Sequence, residues 1–213
     1  HDSVLGRTCI TDETHAYAKK AGVDIVATVL YPGVPISGIT ELIAVKKSGA
    51  DYAVIYHVAG TASIMVNDAY DMGLSTAAGG PLTLVGSRYV MCEDLIHMCG
   101  EKAEGVIGAE DNALPDELQL EGVKYAHDIY ERYHSWEWST LYIQGVEHEL
   151  VASRCVKLAL DTVGYDNLDG DAVKDAMESG KVIDLKGLIP PVKWEPGDHR
   201  GVHVTRFVKV ENG

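Results

Sequence analysis

The residues of this chain best suited to chemistry stand directly after three short apolar runs. Tyr31, Pro32 and Gly33 follow the run 23–30; His57, Val58, Ala59, Gly60 and Thr61 follow the run 52–56; Ser87, Arg88 and Tyr89 follow the run 82–86. They supply aromatic faces, hydroxyls, one imidazole, one guanidinium and backbone N–H groups near helix starts. That set suits the recognition of a small polar or anionic solute. Patterns that make or break bonds fail on inspection. There is no Gly-x-Ser-x-Gly elbow, Glu147-His148-Glu149 lacks the second His of a zinc-protease helix, and Ala77-Ala78-Gly79-Gly80 lacks the Lys of a phosphate loop. A calcium loop centred on Gly170 would put Tyr165 and Ala176 where carboxylates are required. The chain is therefore expected to be no enzyme, with no catalytic residue, metal or cofactor.

The elements that must position these residues read as an α/β unit. Val23-Asp24-Ile25-Val26-Ala27-Thr28-Val29-Leu30, Tyr52-Ala53-Val54-Ile55-Tyr56 and Leu82-Thr83-Leu84-Val85-Gly86 are rich in β-branched residues and lack polar alternation. Strands of a parallel sheet covered by helices on both faces look like this. Between them lie helical stretches: 11–21, the stripe Ile39, Leu42, Ile43 and Val45, then 62–72 and 89–99, each stopped by a glycine. One further short strand is expected at 104–109. From there to about Gly180 the pattern is helical, with a last helix at 172–177 capped by Asp169 or Asp171. An alternating stretch at 201–210 returns to strand. In an open parallel sheet ligands bind beyond the carboxyl ends of the strands, where the residues named above stand.

Composition narrows the partners. Across 213 residues, 18 Lys and Arg face 32 Asp and Glu for a net charge of −14, which argues against a nucleic-acid partner. No window approaches the roughly 20 apolar residues of a membrane helix, so direct insertion is not expected. Cys9, Cys92, Cys99 and Cys155 lack zinc-site spacing and read as small buried apolar residues. The sequence opens at His1-Asp2-Ser3 with no signal-like segment and reads as entering a fold in mid-unit.

An ordered series of residues carries a family resemblance. Gly22-Val23, Tyr31-Pro32-Gly33, Thr40-Glu41-Leu42, Gly49-Ala50-Asp51, Gly73-Leu74, Ala103-Glu104-Gly105-Val106, Leu168-Asp169-Gly170 and Gly187-Leu188-Ile189-Pro190-Pro191 follow one another along nearly the whole chain. The series is similar to the C-terminal portion of the type I periplasmic solute-binding proteins, in the branch associated with branched-chain amino acid ABC importers. The resemblance implies two α/β lobes with Rossmann-like parallel sheets, joined by a hinge of crossing segments and enclosing a solute between them. It implies that residues 1–89 are the second lobe without its first strand, 90–200 a mainly helical part of the first lobe, and 201–213 a return to the second. The N-terminal half of the first lobe would be absent, and the hinge would be crossed near 87–90 and 197–201.

The same resemblance implies a protein of the periplasm or cell exterior, lipid-anchored through a missing N-terminus, that presents its solute to a membrane permease. In branched-chain amino acid binders the loop after the second strand carries a Glu that pairs with the ligand's ammonium group, and Thr61 is aligned with it here. A buried ammonium without a carboxylate partner is costly, which puts the α-amino acid in question, so an amide, urea or an aromatic acid stands equally beside an amino acid as the solute. Tyr31 and Tyr89 would wall the pocket; His57, Ala59, Gly60, Thr61 and Ser87 would make polar and backbone contacts. Arg88 would serve either as a ligand clamp, with His57 against a carboxylate, or as a hinge salt bridge. A ligand-sensing regulator domain and an α/β enzyme of small-metabolite chemistry are the other classes the sequence leaves open.

Overall fold

A computed structural model describes residues 4–133 and 136–212. Its elements, in chain order, are α1 (Val4–Thr8), α2 (Asp12–Lys20), α3 (Ile39–Ser48), β1 (Tyr52–Ile55), α4 (Ala59–Asp71), β2 (Thr83–Gly86), α5 (Glu93–Cys99), β3 (Ile107–Glu110), α6 (Glu121–Tyr133), α7 (Thr140–Val163), α8 (Gly170–Met177) and β4 (Arg206–Lys209). The chain divides into two compact units: one runs to Glu110 and resumes at Phe207, the other is Asp111–Arg206. This is the mixed α/β architecture expected, with a sheet that is mainly parallel.

In the first unit the sheet has the order β1-β2-β3-β4. Parallel pairing sets Tyr52 opposite Thr83 and Ile55 opposite Gly86, then Val85 opposite Ile107. The core under it joins Leu42 of α3, Ala62, Val66 and Ala69 of α4, Leu84 of β2 and Leu95 of α5. Helix starts and stops follow local chemistry. Thr11 caps α2 by accepting the Thr14 N–H, and Thr14 returns the bond to the Thr11 N–H, so two otherwise orphaned donors are satisfied. Gly49, with φ +72°, ends α3 in a left-handed turn that residues with a side chain rarely adopt.

Residues 23–30 depart from the expectation: they form no ladder among the described residues, and Val23, Val26 and Leu30 are about half exposed. Their composition suits a strand, but a strand exists only where a neighbour takes its backbone bonds, and among the described residues β1 pairs with β2 alone. The expected burial on both faces also fails at β1, where Tyr52 and Val54 are 63% and 72% exposed. β2 and β3 do bury one face. The stretch 201–210 contributes only its second half, Arg206–Lys209, as β4.

The compact units part at 110/111 and 206/207. Val90, Met91, Cys92, Leu95, Cys99, Ala103 and Val106 all pack into the first core, which keeps that stretch in the first unit.

The second unit has its own core, built from Val123 and Ala126 of α6, Ile143 and Cys155 of α7, and Ile183, Leu185, Leu188 and Val192. α8 packs along α7 and is capped by Asp169, which accepts the Ala172 N–H at 2.8 Å. None of the four cysteines is in a disulfide, and Cys92, Cys99 and Cys155 are buried as expected. α6 begins directly against the turn 185–188: the Gly122 N–H donates to the Lys186 carbonyl at 3.0 Å. A Cβ on Gly122 would collide with the Leu185 carbonyl and the Leu188 amide, which are backbone and cannot swing away. Gly122→Ala is therefore expected to cost about 1–3 kcal/mol, measured as a lower urea midpoint, with the first unit's core unaffected.

Candidate functional site

The carboxyl ends of β1 and β2 lie side by side because their ladder runs to Ile55 and Gly86. Three hydrogen bonds continue the pairing beyond the ladder. The Ser87 N–H donates to the Ile55 carbonyl at 3.2 Å, the Ser87 hydroxyl to the His57 carbonyl at 3.1 Å, and the Ala59 N–H to the Tyr89 carbonyl at 2.9 Å. The loops after the two strands are thereby fixed to each other. α4 starts at Ala59, three residues earlier than its sequence pattern indicates, so Ala59, Gly60 and Thr61 form its first turn.

Helix starts leave backbone N–H groups unpaired. Here the Ala59 N–H is taken by Tyr89, and those of Thr61 and Ala62 turn back to the Val58 carbonyl at 3.2 and 2.9 Å. Gly60 is exposed, and its N–H stands at the positive end of the 13-residue α4. The Thr61 side chain is half-buried beside it. Arg88 follows Ser87 at the end of β2, half-buried, with its guanidinium 5.8 Å from the centre of the Tyr89 ring. Tyr89 is half exposed.

Two of the expected contact residues are turned inward. His57 is buried, accepts the Val58 N–H on Nδ1 at 2.9 Å, and lies edge-to-face against Tyr31 with ring centres 6.1 Å apart. Burial pushes its pKa below the ordinary value, opposed by a hydrogen bond with the Pro32 backbone. At neutral pH the ring is uncharged, so it brings no second cation to Arg88. Tyr31 is 6% exposed, and its hydroxyl finds no hydrogen-bond partner. Burial, with Asp68 and Glu41 nearby, lifts its pKa to about 12. These two residues wedge the loop 31–38 against the sheet end. Asp68 of α4 secures the same loop from the other side, accepting the Ser37 hydroxyl at 2.8 Å and the Gly38 N–H at 2.6 Å.

Tyr56 and Cys9 join this rim and were not singled out from the sequence. A hydrogen bond with the Cys9 side chain, aided by burial, raises the Tyr56 pKa. Tyr56 stands at a strand's carboxyl end, the signal that marked its neighbours, whereas nothing local marks Cys9. Two hollows of about 350 and 380 Å³ open elsewhere, the first beside Tyr70, Ala77 and Asn212, the second beside Thr83 and Ile107 at the amino ends of β2 and β3, and Glu104 lines both. Among the described residues no three His, Cys, Asp or Glu side chains come together as a metal site, and no helix is long and apolar enough to cross a membrane.

A family model described as "Periplasmic binding protein" matches residues 1–213. Among solved structures, a branched-chain amino acid ABC transporter protein of Thermus thermophilus with bound valine superposes with a TM-score of 0.83 at 20% identity, over 100% of this chain and 56% of its own. A periplasmic binding protein type 1 of Bordetella pertussis Tohama I gives 0.77 at 16% identity, over 100% and 57%. A solute-binding protein of an ABC transporter from Rhodopseudomonas palustris HaA2, in complex with p-hydroxybenzoic acid, gives 0.72 at 17% identity, over 93% and 51%. The chain thus spans a little over half the length of these structures, and they share its fold. Comparison with curated proteins returned no match.

Two outcomes follow for the inward pair. Tyr31→Phe removes a buried hydroxyl that makes no hydrogen bond, so stability should be unchanged or rise by up to about 1 kcal/mol in a urea titration. His57 has a folded-state pKa below its unfolded value, so the unfolded chain binds the extra proton first. Stability is then whole above about pH 6.5 and declines as the pH falls from there towards the folded-state value. The thermal midpoint should fall between pH 7.5 and 5.5, and His57→Asn should flatten that slope.

Proposed function

The chain belongs to the periplasmic binding proteins, and on that premise we propose that it is the extracytoplasmic solute-binding part of an ABC importer, holding a small anionic or polar solute at the strand ends of the first unit. The observation that carries the preference for an anion is Arg88. Of Tyr31, His57, Ala59, Gly60, Thr61, Ser87, Arg88 and Tyr89, Arg88 alone is fully charged at neutral pH, since burial keeps His57 neutral. It stands one strand away from the start of α4, whose N-terminal end adds partial positive charge.

An arginine fork and a helix N-terminus both suit a carboxylate. Tyr89 and Tyr56 add rings and hydroxyls that would favour an aromatic or amide-bearing body. The p-hydroxybenzoic acid complex of the Rhodopseudomonas relative supports that solute class. In this reading the first unit is the second lobe of a two-lobed binder, and Asp111–Arg206 belongs to the first lobe. A solute bound better by the closed form than by the open one drives closure by that difference in affinity. A membrane permease then receives the closed form. The chemistry is recognition alone, in keeping with a family of binding proteins.

The reading is tested by a thermal-shift screen of the protein as encoded against benzoate, p-hydroxybenzoate, their amides and branched-chain α-amino acids. Carboxylates should raise the midpoint, and Arg88→Gln should weaken the effective carboxylate by about tenfold or more, the scale of a lost charge-assisted bond. A response confined to α-amino acids and indifferent to Arg88→Gln would contradict it.

A further inference from the structure

The loop 31–38 is held rigidly, yet the side chains at its tip support nothing. Val34 and Ile36 are 93% and 99% exposed, so neither adds to a core. Both ends of the loop are fastened. Tyr31 is buried in the first core and lies edge-to-face against His57. Asp68 of α4 accepts the Ser37 hydroxyl at 2.8 Å and the Gly38 N–H at 2.6 Å. Gly38 sits so close to α4 that a Cβ on it would meet the Met65 sulfur at 2.9 Å. Between these anchors Pro32 and Pro35 fix their own φ and steer the residues before them, Tyr31 and Val34, away from helical backbone.

The tip runs on into an apolar ridge. Ile39 and Ile43 stand one turn apart on α3 and are nearly half exposed, whereas Leu42 of the same helix turns into the core. No charged residue occurs from Tyr31 to Thr40, in a chain that is 23% charged and carries a net −14. Apolar side chains exposed singly are ordinary. Four of them grouped on one uncharged, rigid feature mark a surface that a partner covers.

We infer that Val34 and Ile36, backed by Ile39 and Ile43, form a prong that docks in an apolar pocket of the membrane permease. The inference rests on the solute-binding reading, which puts the solute at the same strand-end rim. A permease that takes the solute from that rim has to meet it, and the side chains standing fully in solvent are the first it touches. The cores of protein interfaces are depleted in charge, which is the composition of 31–40. Because the prolines and Asp68 already hold the loop, docking freezes little further motion, and the gain from covering two β-branched side chains is not offset by ordering them. A second copy of the chain is the rival occupant, and two molecules of net charge −14 repel each other.

The test is photocrosslinking in intact cells of the protein's own organism, with Ile36→p-benzoylphenylalanine. The side chain replaced touches almost nothing, so the fold is retained and the thermal midpoint should stay at its wild-type value. Irradiation should give an adduct whose partner, identified by mass spectrometry, has several membrane-spanning helices. Adding Val34→Asp should reduce that adduct by about tenfold or more, the scale of one Val side chain left unburied. The same label at Phe207, a similarly exposed apolar residue of β4, should not give it. An adduct to a second copy or to a water-soluble protein, no adduct, or equal adducts from both positions overturns the inference. In the thermal-shift screen Val34→Asp and Ile36→Asp should leave any carboxylate-induced shift at its wild-type size; a smaller shift means that the loop holds solute and also overturns the prong. Failure of the solute-binding reading shows separately, in wild-type protein that no solute of the screen stabilises.

Discussion

Two parallel strands diverge in their loops unless something ties the loops together, and here the proposed site depends on that tie. Past the last ladder residues, Ile55 and Gly86, the backbone and side chain of Ser87 bond back to Ile55 and His57, and the Ala59 N–H closes onto Tyr89. Each bond contributes only about 1 kcal/mol, but together they decide where α4 begins relative to Arg88. A cation and a helix N-terminus that came from separate, mobile loops would cost more entropy to bring onto one solute than they returned.

Other features inherit this constraint. α4, once started at Ala59, carries Asp68 to the position where it grips Ser37 and Gly38, which sets the entry to α3. Gly86 permits the chain after β2 to fold tightly back, since a Cβ there would meet Val90 at 2.8 Å. That close approach sends Val90 and Met91 into the first core and delays α5 to Glu93, four residues later than its pattern indicates. In the second unit the Arg206 guanidinium donates to Glu117 and to the Asn112 carbonyl.

Much of this was legible in the sequence because local chemistry dictated it. Glycines 49 and 73 stop helices in left-handed turns, Thr11 and Asp169 cap them, and the runs at 52–56, 82–86 and 104–109 locate β1, β2 and β3 to within a few residues. Residues 23–30 show the limit of such reading, since their side chains specify a strand but pairing is a property of the neighbour. The site was legible as a place more than as a set of contacts. The rule that ligands meet strand ends put Arg88, Tyr89, Gly60 and Thr61 on the rim where the structure has them, yet it could not tell that Tyr31 and His57 turn inward to brace the loop. Cys9 reaches Tyr56 across 47 residues of sequence, and the Arg206–Glu117 pair spans 89. No periodicity or motif encodes contacts of that range; they exist only once the chain has folded.

The central claim is that the start of α4 and Arg88 hold the anionic end of a solute, and the Gly60 amide reports on it most directly. Protein labelled with nitrogen-15 glycine and titrated with p-hydroxybenzoate should show the Gly60 amide proton moving downfield along a saturable curve, while Gly79 and Gly180, far along the chain from the rim, stay in place. Saturable binding with Gly60 unmoved, or movement equally strong with the neutral amide of the same ring, would contradict the account.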